Sequence, residues 1–90
     1  MRLKLITPEK LITAETVDSV TLPGLMGEMT ILPGHTMLVS LLAAGNMHYK
    51  KIGEEGREQT TTYEIGKGFI EVGKDNVVIL TSKVSRPDQL

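Results

Sequence analysis

No cysteine and no tryptophan occur among the 90 residues, and the only aromatic side chains are two tyrosines and one phenylalanine. Without cysteine the chain has no disulfide staple, no thiolate nucleophile and no sulfur-ligated metal. Tyr49, Tyr63 and Phe69 are too few to build a stacking platform for bases or an aromatic-walled ligand pocket. Charge of one sign is also lacking: ten Lys and Arg stand against eleven Asp and Glu, for a net charge of −1, so no long-range field draws a polyanion. Long apolar runs are absent too. A long uncharged stretch, residues 29–47, is interrupted by Pro33, Gly34 and Gly45, and the N-terminus holds no apolar run long enough for a signal peptide. Nucleic-acid binding and direct membrane insertion are therefore not expected.

What the chain does have is regular punctuation. Turn signals recur at Pro8, Pro23-Gly24, Pro33-Gly34, Gly45-Asn46, Gly53 to Gly56, Gly66-Lys67-Gly68 and Gly73 to Asn76. Such spacing leaves room for strands and not for long helices. Between the turns lie runs rich in β-branched and aliphatic residues: 3–6, 17–22, 30–32, 38–42, 47–52, 59–65, 69–72 and 77–81. Phe69 and Glu71 alternate with Ile70 and Val72, whereas Val77-Val78-Ile79-Leu80 is apolar throughout and predicts a strand covered on both faces, either by the second sheet or by a partner subunit. Residues 36–44 satisfy a helical period as well as a strand, and the bounding Pro33-Gly34 and Gly45 favour a strand. Eight or more short strands in one small domain predict an all-β sandwich or barrel.

Chemistry-bearing motifs are scarce. Gly66-Lys67-Gly68 lacks the spacing of a phosphate loop and reads as a turn. Neither His35, His48 and Glu28 nor any serine stands in a metal-ligand or nucleophile context, so no catalytic residue, metal or cofactor is expected.

One stretch is distinctive: Met26-Gly27-Glu28-Met29-Thr30-Ile31-Leu32-Pro33-Gly34-His35, with Leu38 and Gly45 following. Together with Gly68-Phe69-Ile70-Glu71-Val72 and Asn76-Val77-Val78-Ile79-Leu80, in that order, it resembles the N-terminal domain of the epsilon (mitochondrial delta) subunit of F-type ATP synthases. Met37, Lys67 and Thr81-Ser82 depart from that pattern at turns and strand ends. The resemblance implies a β-sandwich of about ten strands in two antiparallel or mixed sheets over residues 1–84. Residues 85–90 then form a short tail where the family commonly carries a C-terminal helical hairpin, and the inhibitory and ATP-binding roles of that hairpin are expected to be absent.

The resemblance further implies a non-catalytic rotor subunit, peripheral on the cytoplasmic face of a bacterial inner membrane, which joins the gamma subunit to the c-ring in ATP synthesis coupled to proton transport. Glu28, Pro33, Gly34 and His35 inherit the c-ring-facing loops, with no small-molecule ligand expected. Read from the residues alone, Glu28 is equally a solvated loop acid and His35 a turn cap. Gamma-contact candidates are Met26, Met29, Met37, Leu38, Leu41 and Leu42, each of which also suits plain core packing. Two other readings stay open: a regulatory subunit restraining ATP hydrolysis, and a free-standing ligand-binding sandwich.

Overall fold

The structure, a computed structural model, describes residues 1–34 and 37–86. Its strands are β1 (Arg2–Ile6), β2 (Leu11–Thr16), β3 (Ser19–Gly24), β4 (Gly27–Ile31), β5 (Leu38–Leu42), β6 (Gly45–Ile52), β7 (Glu58–Ile65), β8 (Gly68–Val72), β9 (Asn76–Thr81) and β10 (Val84–Ser85). They follow one hydrogen-bonded path, β10-β7-β6-β3-β5-β8-β9-β1-β2, with β4 beside β3. The path folds over where β3 leaves β6 and meets β5 through the single pair Gly24 and Leu42. One layer thus holds β10, β7, β6, β3 and β4, and the other holds β5, β8, β9, β1 and β2. All pairings are antiparallel except β1 with β9, which makes this layer a mixed sheet and sets the first strand beside the ninth.

Alternation explains the core. Leu3 and Leu5 of β1, Val20 and Leu22 of β3, Met47 and Tyr49 of β6, Ile70 and Val72 of β8, and Val77 and Ile79 of β9 all turn inward and are at most 3% exposed. Each is a period-2 neighbour of the next on its strand, so one face of every strand meets the opposite layer. Burying each such side chain contributes about 1.5–3 kcal/mol.

The strands meet some sequence expectations and change others. β2 and β10 lie outside the apolar runs. β2 is half-exposed, its apolar Leu11-Ile12 followed by Thr13-Ala14-Glu15-Thr16, and β10 is only two residues long, so neither has enough apolar density to be read as a strand. β10 pairs Ser85 with Glu64, carrying the sandwich past residue 84. The ambiguous segment is a strand: Leu38 to Leu42 pair residue by residue with Val72 to Gly68 of β8, and this pairing overrides the helical preference of Ala43-Ala44. In β9 only one face is fully covered, since Val77 and Ile79 are buried whereas Val78 and Leu80 are half-buried on the outer side. Residues 53–56 form the acidic hairpin tip, a short 3₁₀ turn in which Glu55 takes φ 68°.

Candidate docking surfaces

Glu28 lies within β4 rather than in a loop, one residue beyond the β3–β4 hairpin. That hairpin closes with a two-residue loop, Leu25-Met26, between the paired Gly24 and Gly27. Gly27 adopts φ +131°, and a Cβ on Gly24 would stand 2.5 Å from the Gly27 carbonyl oxygen, so both glycines are required by the geometry. Glu28 is exposed, opposite Pro23. Beyond β4 the chain turns at Pro33-Gly34, where Gly34 takes φ +83°. His35 lies outside the described residues.

A second surface covers the outer side of the other layer. Strand register aligns Leu41 with Phe69, Phe69 with Leu80, Leu80 with Ile6 and Ile6 with Leu11, an apolar row across five strands. Leu41 is 58% exposed, Phe69 41% and Leu11 53%, and a hollow lies along the row at Ile6, Phe69 and Leu80. The next row mixes Val39, Glu71, Val78 and Lys4. At the far end Arg2, Lys4, Lys74 and Asp75 border a second hollow, making the face apolar at one end and charged at the other.

The six apolar candidates separate by exposure. Met26, Met37 and Leu41 are exposed, at 99%, 73% and 58%; Met29 and Leu38 are partly buried against the core. Leu42 is 2% exposed, a core residue that offers no surface to a partner. Leu25, Val39 and Phe69 are exposed on this apolar face and Ile6 and Leu80 half-buried in it, and none of the five was among the gamma-contact candidates. The alternation of β8 was visible, but nothing local to it says that Phe69 faces outward.

A polar clasp lies between the layers. The Tyr49 hydroxyl of β6 donates to the Glu15 carboxylate of β2, and Lys51 Nζ reaches the same carboxylate at 3.1 Å. The Tyr49 hydrogen bond and the Lys51 charge hold Glu15 below its usual carboxylate value, although burial opposes them. Burial first, then the Glu15 bond, pushes Tyr49 up to about 12. Tyr49 stacks on Tyr63, with ring centroids 6.3 Å apart, and the Arg86 guanidinium lies over Tyr63 at 5.6 Å. The clasp joins strands that share no ladder and has no free hydroxyl or carboxylate oxygen aligned for catalysis. Among the described residues no three His, Asp or Glu side chains gather as metal ligands would, and no helix is long and apolar enough to cross a membrane.

Comparison with known proteins decides the family. The model of the ATP synthase Delta/Epsilon chain, beta-sandwich domain, matches residues 1–87. The chain belongs to this family. It is 34% identical over 90 residues to the ATP synthase epsilon chain of Geobacter sulfurreducens, covering all of this chain and 62% of that protein. Against the ATP synthase epsilon chain of Bdellovibrio bacteriovorus the identity is 35% over 91 residues, covering 63% of that protein. The chain therefore spans somewhat under two thirds of the length of these family relatives. A chain of the Euglena gracilis mitochondrial ATP synthase, from an OSCP/F1/c-ring structure, superposes with a TM-score of 0.84 at 29% identity, over 98% of this chain and 54% of that one. One from the Tetrahymena thermophila mitochondrial ATP synthase central stalk and c-ring has a TM-score of 0.77 at 18% identity, over 100% of this chain and 72% of that one, a likeness of fold alone.

Proposed function

We propose that this domain works in the central stalk, the rotor, of an F-type ATP synthase, linking the gamma subunit to the membrane c-ring and transmitting torque for ATP synthesis coupled to proton transport. It takes no part in bond making or breaking. Its station is peripheral, at the cytoplasmic face of a bacterial inner membrane, a reading supported by the bacterial epsilon chains it resembles. The observation that carries the proposal is the family match over residues 1–87 on a sandwich with two separate exposed surfaces.

The apolar row around Leu41 and Phe69, with Met26 and Met37 at its rim, is the surface assigned to gamma. An exposed, contiguous apolar face rimmed by charge suits a protein partner better than water. Glu28 with the Pro33-Gly34 turn, and His35 by its place in the motif, is assigned to the c-ring. A carboxylate there accepts charge-assisted hydrogen bonds from a polar loop. Paired strands join the two surfaces, from β4 through β3 and its single pair with β5 to β8, so a load at one reaches the other through hydrogen-bonded backbone.

The test is calorimetric titration of the purified chain with the gamma subunit of the same organism, wild type against Leu41→Asp and Phe69→Ser. One-to-one binding that both substitutions weaken at least about tenfold, or about 1.4 kcal/mol, supports the assignment. Absence of binding to a folded gamma subunit overturns it.

A further inference from the structure

The strand path leaves three open ends, at β2, β10 and β4. An open strand edge recruits other strands unless it is short, bulged or guarded by charge turned inward. β10 is two residues long. β2 breaks register at Ile6 and Leu11, and its Glu15 is engaged with Tyr49 and Lys51 of β6. β4 has no such guard: five residues in unbroken register with β3, without proline or lysine.

Pro23 reveals which backbone groups the β4 edge offers. Its carbonyl accepts from the Ala43 N–H at 2.8 Å on the β5 side, and it has no N–H to give. Glu28, directly opposite, therefore exchanges no bond with it and directs its own N–H and C=O away from β3. By alternation Thr30 does the same, and its hydroxyl lies 3.0 Å from that of Thr21, as the close side chains of a non-hydrogen-bonded pair require. Gly27, Met29 and Ile31 bond to β3. Among the described residues no backbone bond outside the strand ladders reaches β4.

We propose that this edge is a self-association surface, at which two copies of the chain pair β4 to β4, antiparallel, about a two-fold axis at Met29. The pattern is self-complementary. Glu28 of each copy falls opposite Thr30 of the other, so both outward-directed residues meet outward-directed residues and four backbone hydrogen bonds form. Met26, 99% exposed, and Leu32, 56% exposed, flank β4 at its two ends, so antiparallel pairing brings the Met26 end of one copy to the Leu32 end of the other. No carboxylate stands directly opposite another, which is the arrangement that would repel. The contact is small by the standard of stable interfaces, so the dimer forms at high concentration. It engages Glu28, so it competes with any partner that takes that carboxylate, but it does not depend on the rotor assignment.

Sedimentation equilibrium from micromolar to millimolar chain tests this with wild type, Thr30→Pro and Thr30→Val. Proline at 30 removes an N–H that points to solvent and leaves the β3 ladder whole, as edge strands tolerate, whereas valine removes only the hydroxyl contact. Circular dichroism checks that each variant folds. Wild type and Thr30→Val should associate, and Thr30→Pro should associate at least about tenfold more weakly. In this cysteine-free chain, mixed Glu28→Cys and Thr30→Cys variants should form disulfide-linked dimers faster than either variant alone. A wild type that stays monomeric at millimolar concentration overturns the proposal, as does a folded Thr30→Pro that associates like wild type. If Thr30→Pro does not fold, equal cross-linking in the mixed and single preparations overturns it.

Discussion

Single residues hold this sandwich at two kinds of point, a polar clasp and close backbone approaches. Removing the clasp hydroxyl with Tyr49→Phe leaves Glu15 only Lys51, and the expected cost is about 1–2 kcal/mol by denaturant unfolding at neutral pH. The folded-state value of Glu15 is depressed, so its contribution is present above the usual 4.5 and is lost as pH falls through the lower folded value. Tyr49 is raised, so its contribution is present below the usual 10 and is lost as pH rises toward about 12. Stability of the wild type should therefore fall on both limbs, and Tyr49→Phe should flatten both; a variant with the wild-type pH profile would exclude the clasp as their cause. At Gly68 an added Cβ would lie 1.9 Å from the Leu80 carbonyl oxygen and 2.8 Å from the Thr81 Cα, both backbone. Gly68→Ala is expected to cost about 1–3 kcal/mol, read as a lowered thermal midpoint, because β8 must move away from β9.

At the scale of the element, strand faces decide what each substitution does. Leu41 and Ile70 are both aliphatic residues in paired strands, yet one is 58% exposed and the other fully buried. Ile70→Ala should cost about 2–5 kcal/mol in unfolding free energy. Leu41→Asp should stay within about 0.5 kcal/mol of wild type while gamma binding falls. The reverse ranking would mean that the β5 face is packed in the free chain. Glu28 combines a side chain on the solvent face of β4 with backbone groups on its open edge. Charge reversal by Glu28→Lys should therefore leave the melting temperature nearly unchanged and reduce proton-coupled ATP synthesis in the assembled enzyme; intact coupling would remove Glu28 from the c-ring contact.

For the molecule as a whole, the mixed sheet matters most. β1 is held in parallel by β9 and antiparallel by β2, so residues 2–6 are clamped by segments from both ends of the described chain. Closure of this kind makes unfolding a single event, and a cooperative body transmits load without one hairpin peeling from the next. Deletion of residues 1–6, which removes β1, should abolish the cooperative thermal transition. A retained sharp transition without β1 would show that the two layers stand independently.

Much of this was legible along the chain. Glycine and proline turns and β-branched runs specified an all-β domain, because turn chemistry and period-2 patterning are local properties, while the family was legible only through the resemblance of the 26–35, 68–72 and 76–80 motifs. β2 was not legible, since an edge strand whose only large apolar side chains are Leu11 and Ile12 buries too little to leave an apolar signature. The placement of Glu28 within a strand was missed because Gly27 and Met26 read as loop, while their geometry serves a hairpin. The order of residues by itself determined that each strand has two unlike faces and where the chain reverses. Only the tertiary structure decided which face turns inward, which row of apolar side chains is left outside and which edge is left open. Those outcomes depend on pairing between segments far apart in sequence, such as β1 with β9 and β3 with β5, and no local period encodes them.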